Sequence, residues 1–358
     1  MRALVCESWR DFDALEVKEI PPPPLRPGAV RLAVEAAGVS FATQLVVAGK
    51  YQRKPPLPFV PGTEVVGRVL EGPLPAGTRV FAVLDWGGFA EQAVADAIHC
   101  VPIPEGLPHL AAVAFPISYP TAAGALLWRA RPGPGDWVLV LGAAGGVGLA
   151  GVEVARAMGC RVIARAGAAK HAALAARGAE VILDSALPFR EAVREATGGA
   201  GVACVLDTLG GPAFDEALRC LGDGGTLVTI GYAGGGIPSV AANILLLKNI
   251  AVAGFNWGSY VGWSPGDGRE RHAPRVRALW GRLMEWWALG RLRPELHAAY
   301  PLEAFREAMA ELRARRAIGR VVLMPAAGGM RLSLHADAHP PGAPDRSAET
   351  AGRLTPTA

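Results

Sequence analysis

"VLVLGAAGGVGLAGVEVARAMG", residues 138–159, runs four apolar residues into a turn of glycine and alanine and then into apolar positions at helical spacing. Gly142, Gly145 and Gly148 stand in a G-x-x-G-x-x-G frame, with a predicted strand before them and a predicted helix after them. In such a turn, here Gly142, Ala144, Gly145, Gly146, Val147 and Gly148, backbone N–H groups and the helix N-terminus face a pyrophosphate. The small residues let the helix pack close to the strand. A tight strand-to-helix turn with no ligand is the plainer alternative.

The next strand, within "CRVIARAGAAKHAAL", tests which dinucleotide such a turn would take. NAD-selective sites end this strand on an acidic residue that accepts hydrogen bonds from the ribose hydroxyls. No Asp or Glu lies between Glu153 and Glu180, and Arg165 and Lys170 are the charged residues in place. Nothing there repels a 2′-phosphate, so the reading favours NADPH over NADH, with a solvated surface charge as the alternative for each residue.

Farther out, "CRVIARA", "AEVILD", "VACVLDTLG" and "GTLVTIG" read as buried strands separated by helical segments such as "KHAALAARG". Strands alternating with helices predict a parallel sheet. Upstream, "MRALVC", "VRLAVEAAGV", "TEVVGRVL", "TRVFAVL" and "FAEQAVA" are short runs punctuated by "PPPPLRPG", "KPPLPF" and "GPLPAG", which predicts an all-β opening region. "GLPHLAAVAFPISYPTAAGALLWRA" has helical spacing and joins the two regions. Val276, Leu279, Trp280, Leu283, Met284 and Trp287 predict a helix over 273–290 that packs one apolar face. Helix, turn and a final strand follow, and the Gly-, Pro-, Ser- and Thr-rich residues 325–358 predict a disordered tail.

The bulk properties exclude several classes. At 358 residues, with 51% apolar and 19% charged residues, the chain suits a two-domain globular protein. A net charge of +4 spread along the chain, without basic runs, argues against nucleic acid as a partner. Cys6, Cys100, Cys160, Cys204 and Cys220 are odd in number and form no C-x-x-C pair, which suits a reducing compartment. The N-terminus lacks the pattern of a signal peptide, and the apolar run at 137–152 falls short of a membrane span. A cytoplasmic protein without membrane attachment is the simplest expectation.

"AAGVSFATQLVVAGKYQRKPPLPFVPGTEVVG", "FPISYPTAAGALL", "VLVLGAAGGVGL", "DTLGG", "IGYAGG" and "ANILLLKNIAVAGFNWG" together resemble the zinc-independent quinone oxidoreductase branch of the medium-chain dehydrogenase/reductase superfamily. The likeness spans most of residues 1–324. It implies an α/β fold of two domains: a GroES-like β-rich catalytic domain from 1–120 and 258–324, and a Rossmann domain with a doubly wound parallel sheet from 121–257. It also implies NADPH in the cleft between them and hydride transfer to quinones or α,β-unsaturated carbonyls. A homodimer built through the last strand of the nucleotide domain, "IAVAGF", is implied as well.

The same resemblance assigns residues. In zinc enzymes of the superfamily, metal ligands fall at the places of Ser40, Thr63 and a position near Phe115, so the resemblance implies no zinc. Tyr51 matches a tyrosine that related enoyl-thioester reductases use as proton donor, and Ser40 sits where a substrate hydrogen bond is made. Thr43 departs from the Asp of many relatives. Thr121 is placed near the nicotinamide amide, with Gly231, Tyr232, Ala233, Phe255, Asn256 and Trp257 bordering the nicotinamide and its ribose. Arg315, beside Arg313 and Arg316, is placed at the 2′-phosphate, and Ser185 replaces a phosphate-contacting tyrosine. Asp207 and Gly210 form the "DTLGG" turn. Two alternatives stand beside this reading: an enoyl- or acryloyl-CoA reductase, with Arg53 and Lys54 on the rim, and an NADPH-binding protein with little turnover.

Overall fold

The computed structural model describes residues 1–263 and 266–326. The expectation of a disordered tail falls almost wholly outside the described residues.

The first part of the chain gives β1 (Arg2–Val5), β2 (Glu16–Glu19), β3 (Ala29–Val39), α1 (Phe41–Val47), β4 (Glu64–Glu71), β5 (Arg79–Val83), β6 (Gln92–Asp96) and β7 (Cys100–Pro102). The opening region is therefore not all β. α1 interrupts it because Thr43 and Val47, one helical turn apart, both bury. β14 (Leu296–Pro301), α9 (Phe305–Arg313) and β15 (Arg320–Met324) return to this domain and complete a seven-stranded sheet of order β14-β15-β3-β4-β5-β7, with β6 on β3. β14 was not visible in the sequence, since "LHAAYP" has neither a sustained alternation nor a β-branched residue.

The middle of the chain gives α2 (Ser118–Gly124), β8 (Trp137–Leu141), α3 (Gly146–Ala157), β9 (Arg161–Ala166), α4 (His171–Ala176), β10 (Val181–Asp184), α5 (Arg190–Ala196), β11 (Val202–Asp207), α6 (Gly211–Cys220), β12 (Leu221–Thr229), α7 (Ala242–Lys248) and β13 (Ala251–Gly254). The six strands are parallel in the order β10-β9-β8-β11-β12-β13. The winding reverses between β8 and β11, and in such sheets ligands bind outside the carboxyl ends of the strands at that reversal. Thr208, just past β11, ties the two ends together by donating to the Leu141 carbonyl at 3.0 Å.

The segment with helical spacing before β8 is broken. A 3₁₀ turn at Ala111–Ala114 precedes α2, and a π turn at Ala125–Ala130 follows it. Pro116 lacks the N–H that would continue the first turn into the second. By length and composition 111–130 would suffice to cross a membrane, but 83% of its most apolar window is buried in the fold.

α8 (Arg269–Ala288) buries Val276, Leu279, Trp280 and Leu283, as its spacing predicts. A largely buried polar network links residues from both domains. Tyr119 donates to Glu153 at 2.6 Å, and Arg177 pairs with both Glu153 and Glu295. Burial pushes the Glu153 carboxyl above its ordinary value, against the pull of Arg177.

Candidate active site

The glycine turn connects β8 to α3. A Cβ on Gly148 would collide with the backbone of Gly142 and Ala143, so only glycine lets the helix approach this closely. No side chain caps α3 and no acid occupies its first turn, leaving its N–H groups and positive dipole end free for an anion. The turn also reaches the other domain, because Gly319 N–H donates to the Ala144 carbonyl at 3.0 Å, immediately before β15.

That contact brings in Arg320, a residue the sequence reading passed over. Arg320 is buried, pairs with Glu64, and lies against Gly146, where a Cβ would come within 2.9 Å of the Arg320 Cδ and 3.0 Å of Ser118 Oγ. Desolvation lowers the Arg320 pKa to about 10, so the guanidinium stays charged at neutral pH. Among the described residues, Arg320 Nε, Glu64 Oε2 and Ser118 Oγ are buried without a hydrogen-bond partner. Buried polar atoms ordinarily find partners, and a cation with a donor beside an uncapped helix N-terminus and a glycine cradle fits a pyrophosphate. The residues present therefore fit a dinucleotide.

Past β9, Lys170 and Arg315 come together. Lys170 Nζ donates to the Ala317 carbonyl at 2.8 Å, and burial together with Arg315 lowers its pKa. Arg165 turns elsewhere. It donates to the carbonyls of Ser185 (2.7 Å) and Leu187, lies over the Phe189 ring, and has Glu216 and Asp184 as its acidic neighbours. Strand alternation decides this, since Ala164 and Ala166 face α3 while residue 165 faces the opposite layer.

Beside Val147 and Arg320 a cavity of about 230 Å³ opens, lined by parts of both domains. Thr121, Val147, Phe255, Asn256 and Trp257 line it, as do Ser40 and Tyr51; Gly231, Tyr232 and Ala233 do not, and Ile230 takes their place. Trp257 is fixed by donating its indole N–H to the Pro116 carbonyl at 3.0 Å. Asn256 Oδ1 accepts from Gly258 N–H at 3.0 Å. Asp207 is spent on its own turn, accepting from the N–H groups of Leu209 and Gly210.

In the cavity wall Ser40 Oγ and Thr43 Oγ1 are 3.0 Å apart. Burial holds the Tyr51 phenol above its usual pKa, over the opposing effects of Gln52 and Arg53, so it is a neutral donor. The Arg53 guanidinium lies over the rings of Trp86 and Trp263, 4.8 and 5.7 Å from their centroids, and pairs with Asp85 at 2.8 Å. Trp86, Trp263 and Asp85 carried no signal in the sequence, because only the fold brings them to one wall.

The places of the zinc ligands do not fit a metal. Ser40 and Thr63 offer hydroxyls, weak zinc ligands beside thiolate or imidazole. Phe115 is buried and stacked on Tyr119 at 4.7 Å. Among the described residues no group of three His, Cys, Asp or Glu is placed to hold a metal ion.

Comparison with known proteins matches residues 26–105 to the alcohol dehydrogenase GroES-like domain and 146–269 to the zinc-binding dehydrogenase family. Quinone oxidoreductase-like protein 2 of Rattus norvegicus is 37% identical over 330 residues, covering 90% of this chain and 91% of that protein. The chain belongs to the zinc-independent quinone oxidoreductase family of the medium-chain dehydrogenases/reductases. The quinone oxidoreductase of Thermus thermophilus, solved also with NADPH, is 35% identical with a TM-score of 0.76, covering 90% of this chain and all of that one. Mycobacterial Rv1454c, solved with NADPH, is 29% identical with a TM-score of 0.82, over 91% of this chain and all of that one. Like its family, the chain is an NAD(P)-dependent oxidoreductase with a GroES-like domain and a Rossmann-type domain.

Proposed function

We propose that this chain is an NADPH-dependent reductase that passes hydride to quinones or α,β-unsaturated carbonyls without a metal. One observation carries the reading: a single cleft is lined both by Val147 of the uncapped glycine turn with Arg320 and by Ser40, Thr43 and Tyr51, and Ser40 and Thr63 in it stand where zinc enzymes hold ligands. When bound, NADPH supplies the hydride and its two electrons. Lys170 and Arg315 favour the 2′-phosphate form, and the solved NADPH complexes of two similar proteins support it.

The chain's own residues hold the acceptor flat among Phe59, Trp86 and Trp263 and offer hydrogen bonds to its oxygen as charge builds there. The test is NADPH oxidation with 1,4-benzoquinone, 1,4-naphthoquinone and crotonyl-CoA, alongside total zinc. Quinone turnover with zinc well below one per chain supports the proposal. Turnover that needs added zinc overturns it, and tight NADPH binding with no acceptor reduced turns the reading to a binding protein.

A second reading, an enoyl-thioester reductase, draws on the neutral Tyr51 phenol in the cleft wall. Crotonyl-CoA outpacing both quinones selects it. We further propose a homodimer formed through β13 in a reducing compartment such as the cytoplasm. The open edge of β13 beside the exposed Leu246 and Leu247, and five free, buried cysteines, support those two points.

A further inference from the structure

Ser40 immediately precedes α1 and Thr43 lies in its first turn. A serine in that position ordinarily turns its oxygen to a backbone N–H of the first turn, and here it makes no such bond. A helical threonine often bonds back to a carbonyl of the preceding turn. Among the described residues, Thr43 instead has Ser40 Oγ as its one side-chain partner, at 3.0 Å. Both residues line the cleft, and Thr43 is only 8% exposed.

Two hydroxyls carry two protons, and the bond between them uses one. Among the described residues the other has no protein acceptor, and both residues border the cavity. Both side chains have thus given up their local backbone bonds for an arrangement that leaves one O–H free beside the acceptor.

We propose that this pair is the hydrogen-bond donor to the acceptor's carbonyl oxygen. Ser40 touches that oxygen; Thr43, the deeper of the two, donates to Ser40 Oγ and keeps the serine proton turned toward the cleft. Thr43 is then a positioning residue, and its bond also polarises the serine O–H. The inference rests on the acceptor reading above. In the overall reaction, quinone, NADPH and one solvent proton beyond the hydride give hydroquinone and NADP⁺; the free O–H stabilises the oxygen as it takes up the electron pair.

The test compares Ser40→Ala, Thr43→Val, Thr43→Ser and the double variant Ser40→Ala/Thr43→Val, with 1,4-naphthoquinone as acceptor. Loss of one preorganised oxyanion donor costs about 10²–10³ in kcat in a fully closed site; for this open cleft we expect about tenfold for Ser40→Ala and about fivefold for Thr43→Val. The KM for NADPH should stay within about twofold, Thr43→Ser should recover most of the rate, and the double variant should be no slower than Ser40→Ala, since coupled residues are not additive. A wild-type rate in Thr43→Val, no recovery in Thr43→Ser, or multiplying effects in the double variant overturns the pair.

If the wild type reduces neither quinones nor crotonyl-CoA, the acceptor reading fails by itself. Titration with 4-nitrophenol, whose absorption band moves on hydrogen bonding, then decides the pair. A shift in the wild type and Thr43→Ser that is lost in Ser40→Ala and Thr43→Val supports it, and equal or absent shifts in all of them overturn it.

Discussion

The Glu64 carboxylate and the Arg320 guanidinium, 256 residues apart in the chain, form a buried ion pair in the wall of the cleft. Their strands β4 and β15 flank β3, and Gly38 of β3 makes the room: a Cβ there would strike both Arg320 Nη2 and Glu64 Oε1. The acid beside Thr63 is thus the counter-ion of the cation that lies against the glycine turn.

Removing one partner of a buried pair leaves an uncompensated charge, at a cost of about 3–5 kcal/mol. Glu64→Gln should lose stability on that scale in urea unfolding, and Gly38→Ala should be destabilised because the pair cannot form beside it. Glu64→Gln at wild-type stability would mean that the pair is solvated in solution.

Lys170 and Arg315 make the cofactor choice testable. Lys170→Ala should raise the KM for NADPH at least about tenfold while moving that for NADH little, as loss of one charge-assisted contact of about 1.5–3 kcal/mol implies. Arg165→Ala, whose guanidinium is held by backbone carbonyls on the opposite layer, should leave the NADPH/NADH ratio near wild type. Equal effects of Lys170→Ala on both cofactors would remove it from the 2′-phosphate.

His99 gives the chain a pH dependence in acid. Its ring is buried against Trp280, its Nε2 has no partner among the described residues, and desolvation lowers its pKa to about 4 despite Asp85 and Asp267. As pH falls from about 6.5 toward 4, the unfolded chain takes up a proton that the native state refuses, so stability is lost through that window. At about 1.36 kcal/mol per unit the contribution is about 3 kcal/mol. His99→Gln should lower stability at pH 7.5 and flatten this part of the profile, as read by urea unfolding at each pH.

The proposed subunit contact predicts an assembly phenotype. Leu246 and Leu247 are each 78% exposed on α7, whose sequence end leads directly into the edge strand β13. Leu246→Glu/Leu247→Glu should shift the mass measured by light scattering from dimer to monomer while leaving the fold intact by circular dichroism. A monomeric wild type would set the contact aside.

Most of the architecture was legible in the sequence because its signals are local. The glycine frame announced the nucleotide turn through sterics, and the alternation of apolar runs with helical spacing announced the parallel sheet. α1 and β14 escaped because each is short and weakly patterned, so tertiary burial, not propensity, makes them. For the site, the family resemblance placed Ser40 and Thr63 at the positions of metal ligands. Trp86, Trp263, Ser118 and Arg320 were not legible, since nothing in their neighbours says that they share a wall.

The sequence by itself determined the fold class and the place of the dinucleotide turn, each a matter of which residues can adopt a local conformation. Only the tertiary structure decided that Arg165 turns away while Lys170 meets Arg315, that Ser40 bonds Thr43 and not the backbone, and that Glu64 answers Arg320. Those outcomes depend on which face of a strand is covered and on which distant charge arrives where water has been excluded.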